Sequence, residues 1–162
     1  MFLSNYLSIF NLNVKNQRKM PTSKIVYLGE LRTQATHLYS NNTIITDAPL
    51  DNNGRAEAFS PTDLVATALG SCAMTVMGIV AQRDEIDFTG STVEITKIMT
   101  TELPRKIAEV VVNFKMLTPE PLPQAIQDKY IRIAHTCPVA LSLKEDVKQM
   151  MNFEWESLVI SQ

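Results

Sequence analysis

Cysteine and histidine are scarce in this sequence, with two of each in 162 residues. Two cysteines are too few to staple a small secreted scaffold, and two histidines beside them supply no zinc-type ligand cluster. No metal and no other cofactor is therefore expected. Neither sign of charge dominates: fifteen Lys and Arg stand against seventeen Asp and Glu, a formal net charge of −2. The basic residues are scattered and give no electrostatic footprint for nucleic acid. A long hydrophobic run is also missing. Val65 to Ala81 comes nearest, but its seventeen residues include Thr, Ser and Gly. That is the lower limit of the ~17–25 residues of a membrane span, so it reads as a core helix with no membrane partner. Internal repeats and low-complexity tracts are absent as well. What is present, 45% hydrophobic and 20% charged residues, suits one soluble globular domain with a real core, expected in the cytoplasm. Cys72 and Cys137 are then either packing residues or redox residues.

Residues 1–19, MFLSNYLSIFNLNVKNQRK, mix apolar residues with Asn and Ser and have neither a basic n-region nor a small-residue cleavage site. They read as a dispensable N-terminal extension, with a short docked helix as the alternative, ahead of a domain spanning 20–162. Within that domain Lys24 to Leu38 and Thr43 to Asp47 alternate as two strands around a turn at Ser40-Asn41-Asn42. Asp47 to Phe59, DAPLDNNGRAEAF, is a loop by its Pro, Asn and Gly content. Ser91 to Thr100 and Lys106 to Met116 form a strand pair joined at Glu102-Leu103-Pro104-Arg105. Leu122, Ile126, Tyr130, Ile133 and Cys137 recur at helical spacing, and Asp146 to Trp155 closes the chain as a strand. Strands mixed with a few helices, without regular βα alternation, predict an α+β fold.

The stretch FSPTDLVATALGSCAMTVMGI, residues 59–79, carries the first cysteine. Ser60 is a preferred N-cap, Pro61 suits the first helical position, and Asp63 lies at the positive end of the helix dipole. The helix that follows is apolar nearly all round, which predicts burial on several sides. Gly70 and Gly78 cost helix stability and imply close approach of a neighbour, expected to be another helix and in one version the same helix of a second chain. Cys72 lies on the face with Leu64, Val65, Ala68, Leu69, Val76 and Ile79, where a free cysteine behaves as a small hydrophobe. It is about 18 Å along the axis from the cap, out of reach of the dipole, so a reactive Cys72 requires an external cation. Cys137, in HTCPVALSL, precedes a proline where a new helical turn begins; a helix N-terminus stabilises a thiolate. Packing remains the alternative for both. His135 reads as an exposed helix-end residue.

SPTDLVATALGSCAMTVMGI, followed much later by CPVALSL from Cys137 onward, resembles the OsmC/Ohr family, the osmotically inducible and organic hydroperoxide resistance proteins. The loop TDAPLDNNGRAEAFSP also resembles one branch of it, and the likeness runs from about Lys24 to Trp155. The resemblance implies antiparallel sheets around long central helices in an intertwined homodimer. It makes Cys72 the peroxidatic cysteine and Cys137 the resolving one of a thiol-dependent peroxidase. Its substrate would be a small organic hydroperoxide, its reductant a lipoyl-type or other dithiol, and its role oxidative stress defence.

The sequence departs from that pattern at one position. The family's active members carry a glutamate directly after the helix-starting proline, orienting an arginine that holds the thiolate; here Thr62 follows Pro61. Asp63 is the nearest carboxylate, rotated by about 100° around the helix. Arg32 occupies the region matching the arginine, with Arg55 as second candidate, and either Asp63 or Glu57 is expected to hold the guanidinium. The departure leaves an alternative: a non-catalytic OsmC-like protein that binds a small apolar ligand at the dimer interface.

Overall fold

The computed structural model describes residues 21–158; the N-terminal extension expected over 1–19 lies outside them. The described residues fall into two compact units that divide between Pro61 and Thr62.

The first unit is a three-stranded antiparallel sheet in the order β1-β2-β3, with β1 Ser23–Gly29, β2 Arg32–His37 and β3 Thr43–Thr46. The stretch expected as one strand from Lys24 to Leu38 is therefore a hairpin. The chain reverses at Glu30 and Leu31, both at positive φ (51° and 63°), with Gly29 at 87° before them. Successive left-handed residues make the primed type of turn that matches strand twist. No Asn-Gly or Asp-Gly pair announces it here, so the alternation appears continuous in sequence. Both faces of β1 are open: Ile25 and Tyr27 point to one side and Val26 and Leu28 to the other, and all four are exposed.

The loop after β3 is held by its own backbone contacts. A 3-10 turn at Leu50–Asn52 ends on Asn53 in the left-handed region. The backbone then closes so tightly that a Cβ on Gly54 would lie 1.7 Å from the Ala48 carbonyl oxygen. The amides of Ala56 and Asp47 bond the carbonyls of Ala48 and Phe59 at 3.2 and 3.1 Å, which turns the loop back on the end of β3.

The second unit packs helices on one face of a sheet in the order β4-β5-β6 (β4 Thr92–Met99, β5 Ile107–Thr118, β6 Lys148–Ser157). Helix α1, Pro61–Arg83, buries the stripe Ala66, Leu69, Gly70, Ala73, Met77 and Ala81, which recurs at helical spacing. Against it stand Val110, Val112, Phe114 and Met116, alternate residues of β5. Helix α2, Gln124–His135, adds Tyr130 and Ala134, and the short α3, Pro138–Ser142, adds Ala140. Of the described strand pairs three are antiparallel as expected, while β5 and β6 run parallel over Glu109–Thr118 and Lys148–Ser157. The intervening α2 and α3 provide the crossover that parallel pairing requires. In-register pairing stacks Phe114 on Phe153 at 4.5 Å between ring centres.

Gly70 corrects one expectation. Its neighbour is the sheet rather than a helix, since a Cβ there would come within 2.4 Å of Ile95 Cδ1 and 3.1 Å of Val93 Cγ1. Gly78 has open space around it. Burial on several sides is likewise not seen within this unit. Val65, Ala68, Ser71, Thr75 and Ile79 form an exposed flank beside the buried stripe. By length and composition α1 is apolar enough to cross a membrane, but its buried stripe packs on the sheet as a core helix does. At its C-terminal end Asp84 accepts hydrogen bonds from the Tyr130 hydroxyl and Lys129, each at 2.6 Å, tying α2 to α1.

Candidate redox site

Cys72 sits midway along α1, on the border between the buried stripe and the exposed flank, and is half-buried. Cys137 is completely buried at the N-cap of α3, in extended conformation before Pro138. The proline suits a first helical position because it has no N–H to leave unpaired. The Cys137 sulfur accepts the Ala140 amide at 3.3 Å. Cys72 lies near enough to push up the Cys137 thiol, and both cysteines are free. Two elements far apart in sequence thus bring two sulfurs of unequal exposure together in one unit.

The electrostatics of Cys137 differ from the sequence expectation. Burial pushes its thiol up from the ordinary value, and the neighbouring Cys72 pushes it further, while the amides of Ala140 and Val139 oppose both. The helix terminus does pull toward the thiolate, as the position before Pro138 suggests. Desolvation outweighs it, because a five-residue helix has little dipole and Cys137 has no solvent exposure. Cys137 is therefore a protonated thiol near neutrality.

The other singled-out residues lie as follows. Arg32 opens β2 and its Nη1 pairs with Glu57 Oε2 at 2.8 Å, the partner expected as one of two. Asp63, in the first turn of α1, pairs with Lys97 at 2.5 Å, and the same Lys97 donates to the Thr62 hydroxyl at 2.8 Å. The position where the family pattern places a glutamate is thus bonded to a lysine of β4. Arg55 pairs with Glu30 in a far more exposed setting than Arg32. His135 is exposed at the end of α2. Among the described residues no group of three or more His, Cys, Asp or Glu is placed to hold a metal.

Two elements of this arrangement escaped the sequence reading. Lys97 looks like any strand lysine until its pairing with the start of α1 is seen. Asp47 is fully buried, and its Oδ2 accepts the Glu57 amide at 3.0 Å. Its signal was present in the DAP that opens the loop, but composition alone gives such an aspartate no partner.

Residues 54–150 match the family model described as OsmC-like protein. Comparison with curated proteins returns no match. Among solved structures, one from Psychrobacter arcticus 273-4, named as a candidate osmotic stress induced and detoxification response protein, is 48% identical. It covers 83% of this chain and 96% of its own, with a TM-score of 0.76. An organic hydroperoxide resistance protein OsmC of Legionella pneumophila shares the fold at 18% identity, covering 83% and 98% of the two chains with a TM-score of 0.62. An OsmC-like protein of Mycoplasma pneumoniae does so at 16% identity, over 85% and 97%, with a TM-score of 0.68. Family match and near-complete likeness agree: this chain belongs to the OsmC-like protein family.

Proposed function

We propose that the protein is a thiol peroxidase that reduces organic hydroperoxides in oxidative stress defence, with Cys72 as the attacking thiol and Cys137 as the resolving one. The observation that carries this reading is the pair of neighbouring free thiols with unequal access: Cys72 borders an exposed apolar flank and Cys137 is sealed in the core. The Cys72 thiolate attacks the peroxide oxygen, the O–O bond breaks, and alkoxide leaves to take up a proton as the alcohol. The resulting sulfenic acid condenses with the Cys137 thiol, releasing water and forming a disulfide. A dithiol reductant restores both thiols by exchange through a mixed disulfide and becomes a disulfide itself. The buried, protonated Cys137 does not compete for the peroxide in the first step; in the second it attacks as it gives up its proton, which leaves with the sulfenic hydroxyl as water.

Arg32, ion-paired and half-buried, is the proposed cation for the Cys72 thiolate, since a guanidinium stays charged when desolvated. Asp63 acts at the helix start with Lys97. The apolar flank of α1 and the two open faces of β1 support a homodimer in which a second copy covers them. Light scattering should give about twice the 18.2 kDa chain mass; a stable monomer at micromolar concentration contradicts the dimer. Apolar walls around Cys72 favour an alkyl or aryl hydroperoxide over hydrogen peroxide, and the enzyme would work among reduced thiols in the cytoplasm.

Turnover of cumene hydroperoxide with dihydrolipoamide tests the function. Catalytic consumption that disappears in Cys72→Ser is expected. Stoichiometric oxidation without turnover under any dithiol would refute the peroxidase and favour an OsmC-like protein that binds a small apolar ligand.

A further inference from the structure

We propose that Asp47 is the positioning residue of Arg32, acting through the return loop that carries Glu57; the inference rests on Arg32 being the cation of the reaction above. Two hydrogen-bonded sides and one side set by strand register close a triangle within the first unit. Glu57 Oε2 holds Arg32 Nη1 at 2.8 Å. The Glu57 amide donates to Asp47 Oδ2 at 3.0 Å, and the Asp47 amide donates to the Phe59 carbonyl at 3.1 Å, so the loop is clasped on both sides of Glu57. On the third side, β2 and β3 are in register at Thr33 and Thr46, whose hydroxyls meet at 2.6 Å. One step further along an antiparallel pair places Asp47 opposite Arg32.

Burial distinguishes this triangle from an ordinary surface pair. Asp47 is 1% exposed, and a carboxylate so enclosed persists only when paired and hydrogen-bonded. Asp47 Oδ1 and Arg32 Nε are both buried without a hydrogen-bond partner among the described residues; one accepts, the other donates, and their charges are opposite. The Glu57 amide, with smaller help from the Arg55 amide and the Arg32 charge, holds the Asp47 carboxyl below the usual range against the opposing effect of burial. The loop is closely packed here, because Gly54 approaches the Ala48 carbonyl with no room for a side chain. Glu57 thus reaches Arg32 from a loop whose anchor is Asp47. The family's helix-start glutamate is replaced at Thr62, and this loop supplies a carboxylate from another place. The Arg55–Glu30 side chains lie in a more exposed setting than Arg32 and Glu57.

The test uses the full-length protein with 15N-labelled arginine. Side-chain NMR should show Arg32, assigned by its loss in Arg32→Ala, with a protected Nε–H and slow guanidinium rotation. In Asp47→Asn, which keeps size but removes charge, rotation should speed by at least about tenfold while the circular dichroism spectrum is unchanged. Unchanged Arg32 signals would overturn the inference and leave the peroxidase reading standing. In parallel, the rate of Cys72 oxidation by cumene hydroperoxide should fall roughly tenfold in Asp47→Asn, in keeping with the cost of a misplaced catalytic group. Adding Asp47→Asn to Arg32→Ala should cause no further loss; losses that multiply would make Asp47 a structural residue only. If Asp47→Asn does not fold, Glu57→Gln opens the same triangle from its exposed corner and should give both results. Absence of hydroperoxide turnover in wild type would sink the peroxidase, and the Arg32 signals would still decide the role of Asp47.

Discussion

Replacing Gly70 with alanine tests how tightly the cysteine-bearing helix sits on its sheet. The added Cβ would lie 2.4 Å from Ile95 Cδ1 and 3.1 Å from Val93 Cγ1, against ordinary carbon–carbon separations of about 3.5–4.0 Å. Either Ile95 leaves its rotamer or β4 retreats by about 1 Å to restore that spacing. Two terms of opposite sign follow. Alanine returns about 1 kcal/mol of helix propensity, and overpacking a filled core costs about 1–3 kcal/mol. The expected net effect is a loss of about 1 kcal/mol. Ile95→Val removes the offending Cδ1 and costs about 0.5–1.5 kcal/mol by itself. In the Gly70→Ala background it should cost much less, leaving a coupling of about 1 kcal/mol between the two sites. Urea unfolding of the four proteins at one fixed concentration measures this directly. Because Cys72 lies two residues along the same helix, the yield of the Cys72–Cys137 disulfide should fall in Gly70→Ala and recover in the double variant. A Gly70→Ala protein stabilised by the full propensity gain, or strictly additive effects, would refute the argument.

Three further outcomes are expected. Tyr130→Phe removes the hydroxyl that donates to Asp84 at 2.6 Å; the melting point should drop by a few degrees, Asp84→Ala should do the same, and the two together should cost less than their sum. The carboxyls of Asp47, Asp84 and Asp146 are held below their usual range by hydrogen bonds and nearby lysine or arginine. Their stabilisation is therefore complete above about pH 4 and lost as pH falls through the depressed values; Asp47→Asn should flatten the acid limb of the urea midpoint against pH, and an unaltered limb would remove Asp47 from that account. Cys137→Ser should keep its fold and accumulate Cys72 sulfenic acid, trapped by dimedone, because the second thiol is missing; a variant that turns over at the wild-type rate with dihydrolipoamide would show that Cys137 does not resolve.

Much of this architecture is legible in the sequence. The apolar stretch after Ser60-Pro61 is the core helix, the strand pair around Glu102–Arg105 is β4 and β5, and the period of Leu122, Ile126, Tyr130 and Ile133 is α2. What was not legible depends on non-local geometry. The turn at Glu30 and Leu31 uses left-handed residues that carry no local signal, so two strands read as one. The parallel register of β5 and β6 follows from where the crossover helices pack, which no strand pattern encodes. Gly70 showed that something approaches closely, but only the fold shows that the neighbour is β4. At Cys137 the local rule was sound and was overridden: the amides favour the thiolate, but burial at zero exposure favours the thiol more. Asp47 and Lys97 became informative through partners ten and more residues away, Glu57 for the first and Thr62 and Asp63 for the second.

The central claim, that Cys72 and Cys137 are one redox pair, is tested most directly by peptide mapping after a single equivalent of cumene hydroperoxide. The account predicts one intramolecular Cys72–Cys137 disulfide, with a loss of two mass units per chain as the two thiols become a bond. A chain in which Cys72 has advanced to sulfinic acid beside a free Cys137 would contradict it.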